Sequence, residues 1–229
     1  MKMSDRTLKI LRNFTTINRS FTFSPGNLIY SSMGDSVFAW ASVDETFSVD
    51  AHIYDLAQFV SLLDRFKDLD IEFLDKQVVV TSGKSRIKYT YMNSAAMAGA
   101  NFRKLPISSD SLPPGCVPVG EISKFDVEDI KKISSTIGAD VLQVVSDKGK
   151  LLLRSIKSGY DGNTFEVGLT KSTHPDFVAS IDITKFTVMS DDYLIYVIPS
   201  KAVVLEAKNI KIRYLFTVES SKSDFGGLK

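Results

Sequence analysis

The spacing of apolar residues changes several times along the chain, and each change marks an element. From Ser4 to Ile17, the residues Leu8, Ile10, Leu11, Phe14 and Ile17 fall on one half of a helical wheel, with Ser4 or Asp5 as cap. The period then shortens to two. Phe21 to Phe23, Leu28 to Met33, Val37 to Val43 and Phe47 to Ile53 read as strands, punctuated by Pro25-Gly26-Asn27 and Gly34-Asp35. Asp55 caps a second predicted helix, in which Leu56, Phe59, Leu62, Leu63 and Phe66 recur at helical spacing. Ile71 to Leu74, Val78 to Thr81 and Arg86 to Tyr91 follow as an antiparallel meander, turned at Asp75-Lys76 and Gly83-Lys84.

From Asn93 to about Gly120 the chain is rich in Ser, Ala, Gly and Pro, with Pro106, Pro113, Pro114 and Pro118, and predicts an extended connector. The same order then restarts, with a helix from Asp126 to Ile137 and strands at Val141 to Val145, Leu151 to Ser155 and Phe165 to Thr170. Ile181-Asp182-Ile183-Thr184-Lys185-Phe186 lines up with the strand-to-helix passage at Ile53 to Phe59, and a long β region from Tyr193 to Leu205 follows. Thr187, Val188 and Ser190, with the turn pair Asp191-Asp192, predict that this second helix is short. An internal duplication accounts for the pattern. The expected organisation is α+β, with one domain over 1–92, a connector over 93–120, a second domain over 121–219 and a polar, flexible tail over 220–229.

Charge sharpens this picture only through its placement. The balance is even, 28 Lys+Arg against 27 Asp+Glu in 229 residues, so attraction to a polyanion depends on segregation. On the first helix Lys2, Arg6, Lys9 and Arg12 lie opposite the apolar half, with Asn13 and Thr16. On the helix from Asp126, Val127, Ile130, Ile133 and Ile137 turn inward, while Lys131, Lys132 and Ser135 point away with Glu128. Arg65 lies on the exposed side of the helix from Asp55, where Asp64 offsets it. Taken alone, each face reads as a solvated surface. Together they suit phosphate contacts, which need charge and no base-reading geometry.

Enzymatic signatures are weak. Ser82-Gly83-Lys84-Ser85 imitates the end of a phosphate-binding loop but lacks the earlier glycine and reads as a hairpin turn. The single Cys116 has no local nucleophile signature, and with His52 and His174 it leaves too few soft ligands for structural zinc. Asp191-Asp192 and the acids Asp68, Asp70 and Glu72 lack the spacing of a calcium loop. No catalytic residue, metal or cofactor is expected. No stretch approaches the roughly 20 apolar residues of a membrane span, and the expectation is a soluble intracellular protein.

Asn13-Phe14-Thr15-Thr16-Ile17-Asn18, Ser24-Pro25-Gly26-Asn27 and Ile53-Tyr54-Asp55-Leu56, in this order and spacing, resemble the replication clamps of T-even-type bacteriophages. The likeness is strongest over residues 8–66 and continues as architecture through the connector and the helix at Asp126. It implies a DNA clamp fold, with two similar domains per subunit, helices lining a hole, antiparallel sheets outside, and closure as a ring-shaped homotrimer. The implied function is a sliding clamp that encircles duplex DNA without regard to sequence and holds the replicative DNA polymerase on it. An ATP-dependent clamp loader and late-transcription factors are further implied partners, and the host-cell cytoplasm is the implied location. The resemblance places Lys2, Arg6, Lys9, Arg12, Lys131 and Lys132 toward the DNA, followed by Arg65 and Lys185. It also implies an apolar partner-binding pocket near the connector, for which Leu105, Ile107, Val119 and Phe216 are the available residues.

One feature departs from the family, whose members are commonly acidic, whereas this chain is near neutral at +1. Two other readings compete with the clamp: a β-rich assembly protein with no role on DNA, and a monomeric module that binds single strands.

Overall fold

A computed structural model of the chain describes residues 1–66, 68–93, 110–159 and 162–228. They divide into two compact units, Met1–Asp110 and Ser111–Lys229.

The first unit begins with α1 (Asp5–Phe14), then β1 (Phe21–Phe23), β2 (Gly26–Met33), β3 (Val37–Phe47), β4 (Ala51–Ile53), α2 (Leu56–Asp64) and the meander β5 (Asp70–Phe73), β6 (Gln77–Ser82) and β7 (Ser85–Thr90). All pairings within it are antiparallel: β1 with β4, β2 with β3, and β6 between β5 and β7. Alternation along the strands delivers Phe21, Phe23, Phe47 and Phe73 to one core, where α2 adds Phe59 and α1 adds Phe14. Phe23 lies at its centre, with ring centroids 4.8 Å from Phe21, 4.5 Å from Phe47 and 5.1 Å from Phe73. Tilted and edge-on pairs at such distances add to what burial alone provides.

The second unit runs β8 (Val117–Ile122), α3 (Lys124–Ile137), β9 (Val141–Asp147), β10 (Lys150–Ile156), β11 (Phe165–Lys171), β12 (Phe177–Asp182), a single 3-10 turn (Ile183–Lys185), β13 (Tyr193–Ile198), β14 (Ala202–Ala207) and β15 (Arg213–Thr217). One sheet has the order β11-β10-β9-β12, and β15-β14-β13-β8 follow one another in a second antiparallel run. Tyr193, Tyr214 and Phe216 fill its core, with Tyr214 and Phe216 stacked at 6.3 Å. The two phenols are satisfied locally: Tyr193 donates to the Met189 carbonyl at 2.7 Å, and the Tyr214 oxygen accepts from the Met189 N–H at 3.1 Å.

Both units therefore carry a helix, a set of strands and a strand running into a helical turn, and in each the last is started by an aspartate. Asp55 accepts from the Gln58 N–H at 3.0 Å, and Asp182 from the Thr184 N–H at 2.9 Å. The second helix is nine residues in one unit and one turn in the other, in line with the poor helix formers after Lys185.

Several expected boundaries differ from the structure. The region Tyr193 to Leu205 is a hairpin, because Ser200 adopts a φ of 60° and the Lys201 N–H closes on Ile198 O at 2.9 Å. The strand read from Phe47 to Ile53 is broken after Phe47 and resumes at Ala51. β8 begins inside the expected connector. Pro118 fits there because β8 is an edge strand and its register with β13 shifts between Ile195 and Tyr196, so the absent N–H is not required. α3 starts at Lys124 rather than at Asp126 and is capped by Ser123, and Ser134 takes a buried place by hydrogen bonding Ser155 Oγ at 2.6 Å. Within the expected tail, Ser220–Lys222 forms a 3-10 turn, Asp224 bridges Val178, and Leu228 is buried. Polar composition concealed these main-chain anchors.

Candidate nucleic-acid interface

The N-terminus of α1 is fixed by a buried carboxylate. Ser4 caps the helix by accepting from the Thr7 N–H at 3.2 Å. Glu45 of β3 accepts from Thr7 Oγ1 at 2.6 Å and from the Ser4 N–H. Burial by itself pushes the Glu45 carboxyl up, but the hydrogen bonds from Thr7 and Ser4 outweigh it and hold the group below its ordinary value. α2 is tied down at its start by Asp55, which also receives both Nε and Nη2 of Arg19 at 3.0 and 2.8 Å. The Arg19 guanidinium lies over the Tyr54 ring, 5.1 Å from its centroid. The Gln58 amide first, and then Arg19, holds Asp55 low against the opposing effect of burial.

On this framework the eight cations expected to face DNA separate into groups. Lys9 on α1, Arg65 at the end of α2 and Lys132 on α3 are exposed and make no ion pair among the described residues. Lys2 pairs with Asp68 at 3.5 Å, although the side chain is 76% exposed. Arg6 donates to Ser42 O at 2.9 Å and lies 3.9 Å from Asp44. Arg12 clasps Asp64 through Nε at 3.1 Å and Nη2 at 2.5 Å, joining α1 to α2. That hydrogen bond raises the Arg12 pKa further. Lys185 pairs with Asp182 at 3.1 Å.

Lys131 differs from all of these. It is half-buried and donates its ammonium to Val188 O, and burial lowers its pKa. It borders a groove of about 350 Å³ between α3 and the single turn that replaces a second helix, lined also by Ser135, Gly138, Ile183, Thr184 and Phe186. α3 itself ends in a left-handed Gly138, φ 65°, whose N–H returns to Ser134 and Ser135 carbonyls. Exposed Glu128 and Asp129 share the α3 surface with Lys124 and Lys132, so its outer face is nearly neutral.

The residues expected to bind partners occupy other settings. Leu105 and Ile107 lie outside the described residues. Val119 and Phe216 are 6% and 1% exposed, and Phe216 packs against Tyr214 and Phe186, so both belong to the core of the second unit. Of the residues weighed for chemistry, Cys116 is half-buried with its thiol pushed up by burial, the opposite of an activated nucleophile. His52 bonds Thr22 Oγ1 at 3.0 Å. Asp191 serves as a turn anchor, accepting from the Asn209 and Ile210 N–H groups at 3.1 and 2.7 Å. The pairing acids Asp44, Asp64 and Asp68 were not evident in the sequence, since each lies far along the chain from its cation. Asp182 and Lys185 alone carry a readable signal, their three-residue spacing.

No protein-family model matches the chain. Its fold is that of the DNA clamps: PCNA from Thermococcus kodakaraensis superposes with a TM-score of 0.65 at 10% identity, over 95% of this chain and 98% of that one. The H. pylori beta clamp gives 0.67 at 10% identity, over 93% of this chain but 63% of its own length. In sequence the chain is similar to sliding clamps of T-even-type phages. That of Vibrio phage KVP40 is 24% identical over 207 residues, 87% of this chain and 91% of the relative. That of Escherichia phage RB69 is 26% identical over 175 residues, 75% of this chain and 71% of the relative.

Proposed function

We propose that the protein is a DNA sliding clamp, a non-catalytic ring of three copies that encircles duplex DNA and keeps a replicative polymerase attached. The observation that carries this reading is the coincidence of a clamp fold with similarity to a named sliding clamp over 91% of that relative's length.

The cations support a loose electrostatic track. Of the eight cations, Lys9, Arg65 and Lys132 are available to phosphates without breaking an existing pair, Lys2 joins them by exchanging a carboxylate for a phosphate, and Arg12 is held by Asp64. Such contacts are weak, salt-sensitive and indifferent to sequence, which suits sliding. Retention is then topological, and a polymerase held by the ring gains processivity through effective concentration. Ring closure also answers an exposed edge: β11 ends its sheet among the described residues, and its side chains alternate between half-buried and exposed. Unprotected edges of this kind invite strand pairing, which head-to-tail closure satisfies.

An ATP-dependent loader, a polymerase and late-transcription factors are the partners this reading supplies, in the host cytoplasm. Among the described residues no helix is long and apolar enough to cross a membrane. The test uses nicked circular DNA with the phage's own loader and ATP. Protein retained on the circle and released on linearisation is expected; equal release from both forms would overturn the proposal. Lys9→Glu combined with Lys132→Glu should reduce the amount loaded onto the circle while leaving the unfolding midpoint unchanged, because both side chains are exposed.

A further inference from the structure

The meander of the first unit has two unlike faces. Ile71, Phe73, Val78 and Val80 are buried on one, where Tyr89 meets Phe59 of α2 edge-on at 5.3 Å. Residues of the opposite parity occupy the other: Asp70 and Glu72 on β5, Gln77, Val79 and Thr81 on β6, and Arg86, Lys88 and Thr90 on β7. Val79 is the one buried apolar residue there. Lys84 stands in the two-residue turn with left-handed Gly83 (φ 56°), at the entry to β7. All three cations are exposed, and none has an ion-pair partner among the described residues. The acids of this face stand on β5, two strands or about 9.5 Å away, and Asp70 is engaged by the Met1 amine at 2.7 Å.

Alternate residues of a strand recur every ~6.6 Å, so Arg86 and Lys88 stand one such step apart, comparable to one nucleotide of an extended chain, and Lys84 precedes them in the turn. The hydroxyls of Thr81 and Thr90 flank these cations, and among the described residues no aromatic ring of the meander shares their face, because Tyr89 turns to the core. A single strand is flexible enough to follow the three cations from the strand into the turn, whereas a duplex, with a persistence length of about 50 nm, is not. We propose that this face, opposite the one on which α2 packs, binds the phosphate backbone of single-stranded nucleic acid without reading its bases. The site is separate from the helix cations and stands whether or not the chain acts as a clamp.

The experiment is fluorescence anisotropy of a labelled oligothymidylate with the full chain, across a salt series. The triple variant Lys84→Gln/Arg86→Gln/Lys88→Gln should bind at least tenfold more weakly. Its log–log salt slope should be shallower by about 2, at roughly 0.7 per single-strand phosphate. A variant of equal charge change, Lys76→Gln/Lys124→Gln/Lys201→Gln, should bind within twofold of the parent. Equal binding by the first triple variant, or an equal loss in the second, would overturn the proposal. So would tighter binding of a duplex of the same length, or of polyglutamate. Should the triple variant unfold, photo-crosslinking of a thiothymidine oligonucleotide to the unaltered chain decides: attachment within 82–90 supports the site, and attachment elsewhere refutes it.

Discussion

The two units solve one packing problem with different amounts of helix. In the first, α2 lays Leu56, Phe59, Val60 and Leu63 into the aromatic core and exchanges a bidentate ion pair with α1. In the second, β-branched residues follow Ile183-Thr184-Lys185, the helix stops after one turn, and a groove remains beside α3. The consequence for charge is direct. Where a second helix is present, it supplies Asp64 to hold Arg12; where it is absent, Lys131 folds toward the groove and bonds a main-chain carbonyl. A cation placed outward by a helical wheel is therefore not automatically a cation available to a ligand.

The largest test of this contrast is in the cores. Phe59→Ala should cost about 3–5 kcal/mol, because a fully buried ring is removed from a closed cluster. Phe186→Ala should cost clearly less, since that ring already borders the groove. Urea unfolding measures both, and equal losses would mean that the second helical layer is packed as tightly as the first.

Next in size is the anchor of α1. Glu45→Gln should cost about 1.5–3 kcal/mol at neutral pH, the usual worth of hydrogen bonds to a charged group. Its pH dependence has a definite sign. The folded carboxyl lies below its ordinary value of 4.5, so its contribution is fully present above that pH and is lost as pH falls through the lower folded value. The gap between parent and variant should therefore narrow on acidification below 4.5. A gap that stays constant down the acid limb would show that Glu45 is not the group responsible.

The smallest effect on stability belongs to the surface pair. Its side chains are 48% and 38% exposed, so Asp64→Asn should shift stability by less than about 1 kcal/mol. It should nevertheless free Arg12 for phosphate and steepen the salt dependence of duplex binding by about 0.9 per added contact. An unchanged slope would indicate that Arg12 does not face DNA.

Much of the fold was legible because its signals are local. The apolar stripe of α1, the Asp55 cap, the glycine turns and the alternating strands each declare themselves within a few residues. β8 was hidden by Pro118, whose tolerance depends on an edge position that only the register reveals. β14 was merged with β13 although Pro199-Ser200 carries a turn signal, because the apolar run resumes at once after the turn, which is closed by a φ of 60° at Ser200. For the interface, the identity of the cations was readable but not their availability. Arg12 and Asp64 are 52 positions apart, and Lys131 and Val188 are 57 apart, so their pairing is fixed by tertiary structure.

Imaging the purified protein at low resolution, together with its mass in solution, tests the central claim most directly. The clamp account predicts closed rings of three 25.4 kDa chains around a hole wide enough for duplex DNA. A stable monomer, or an open filament, would contradict it.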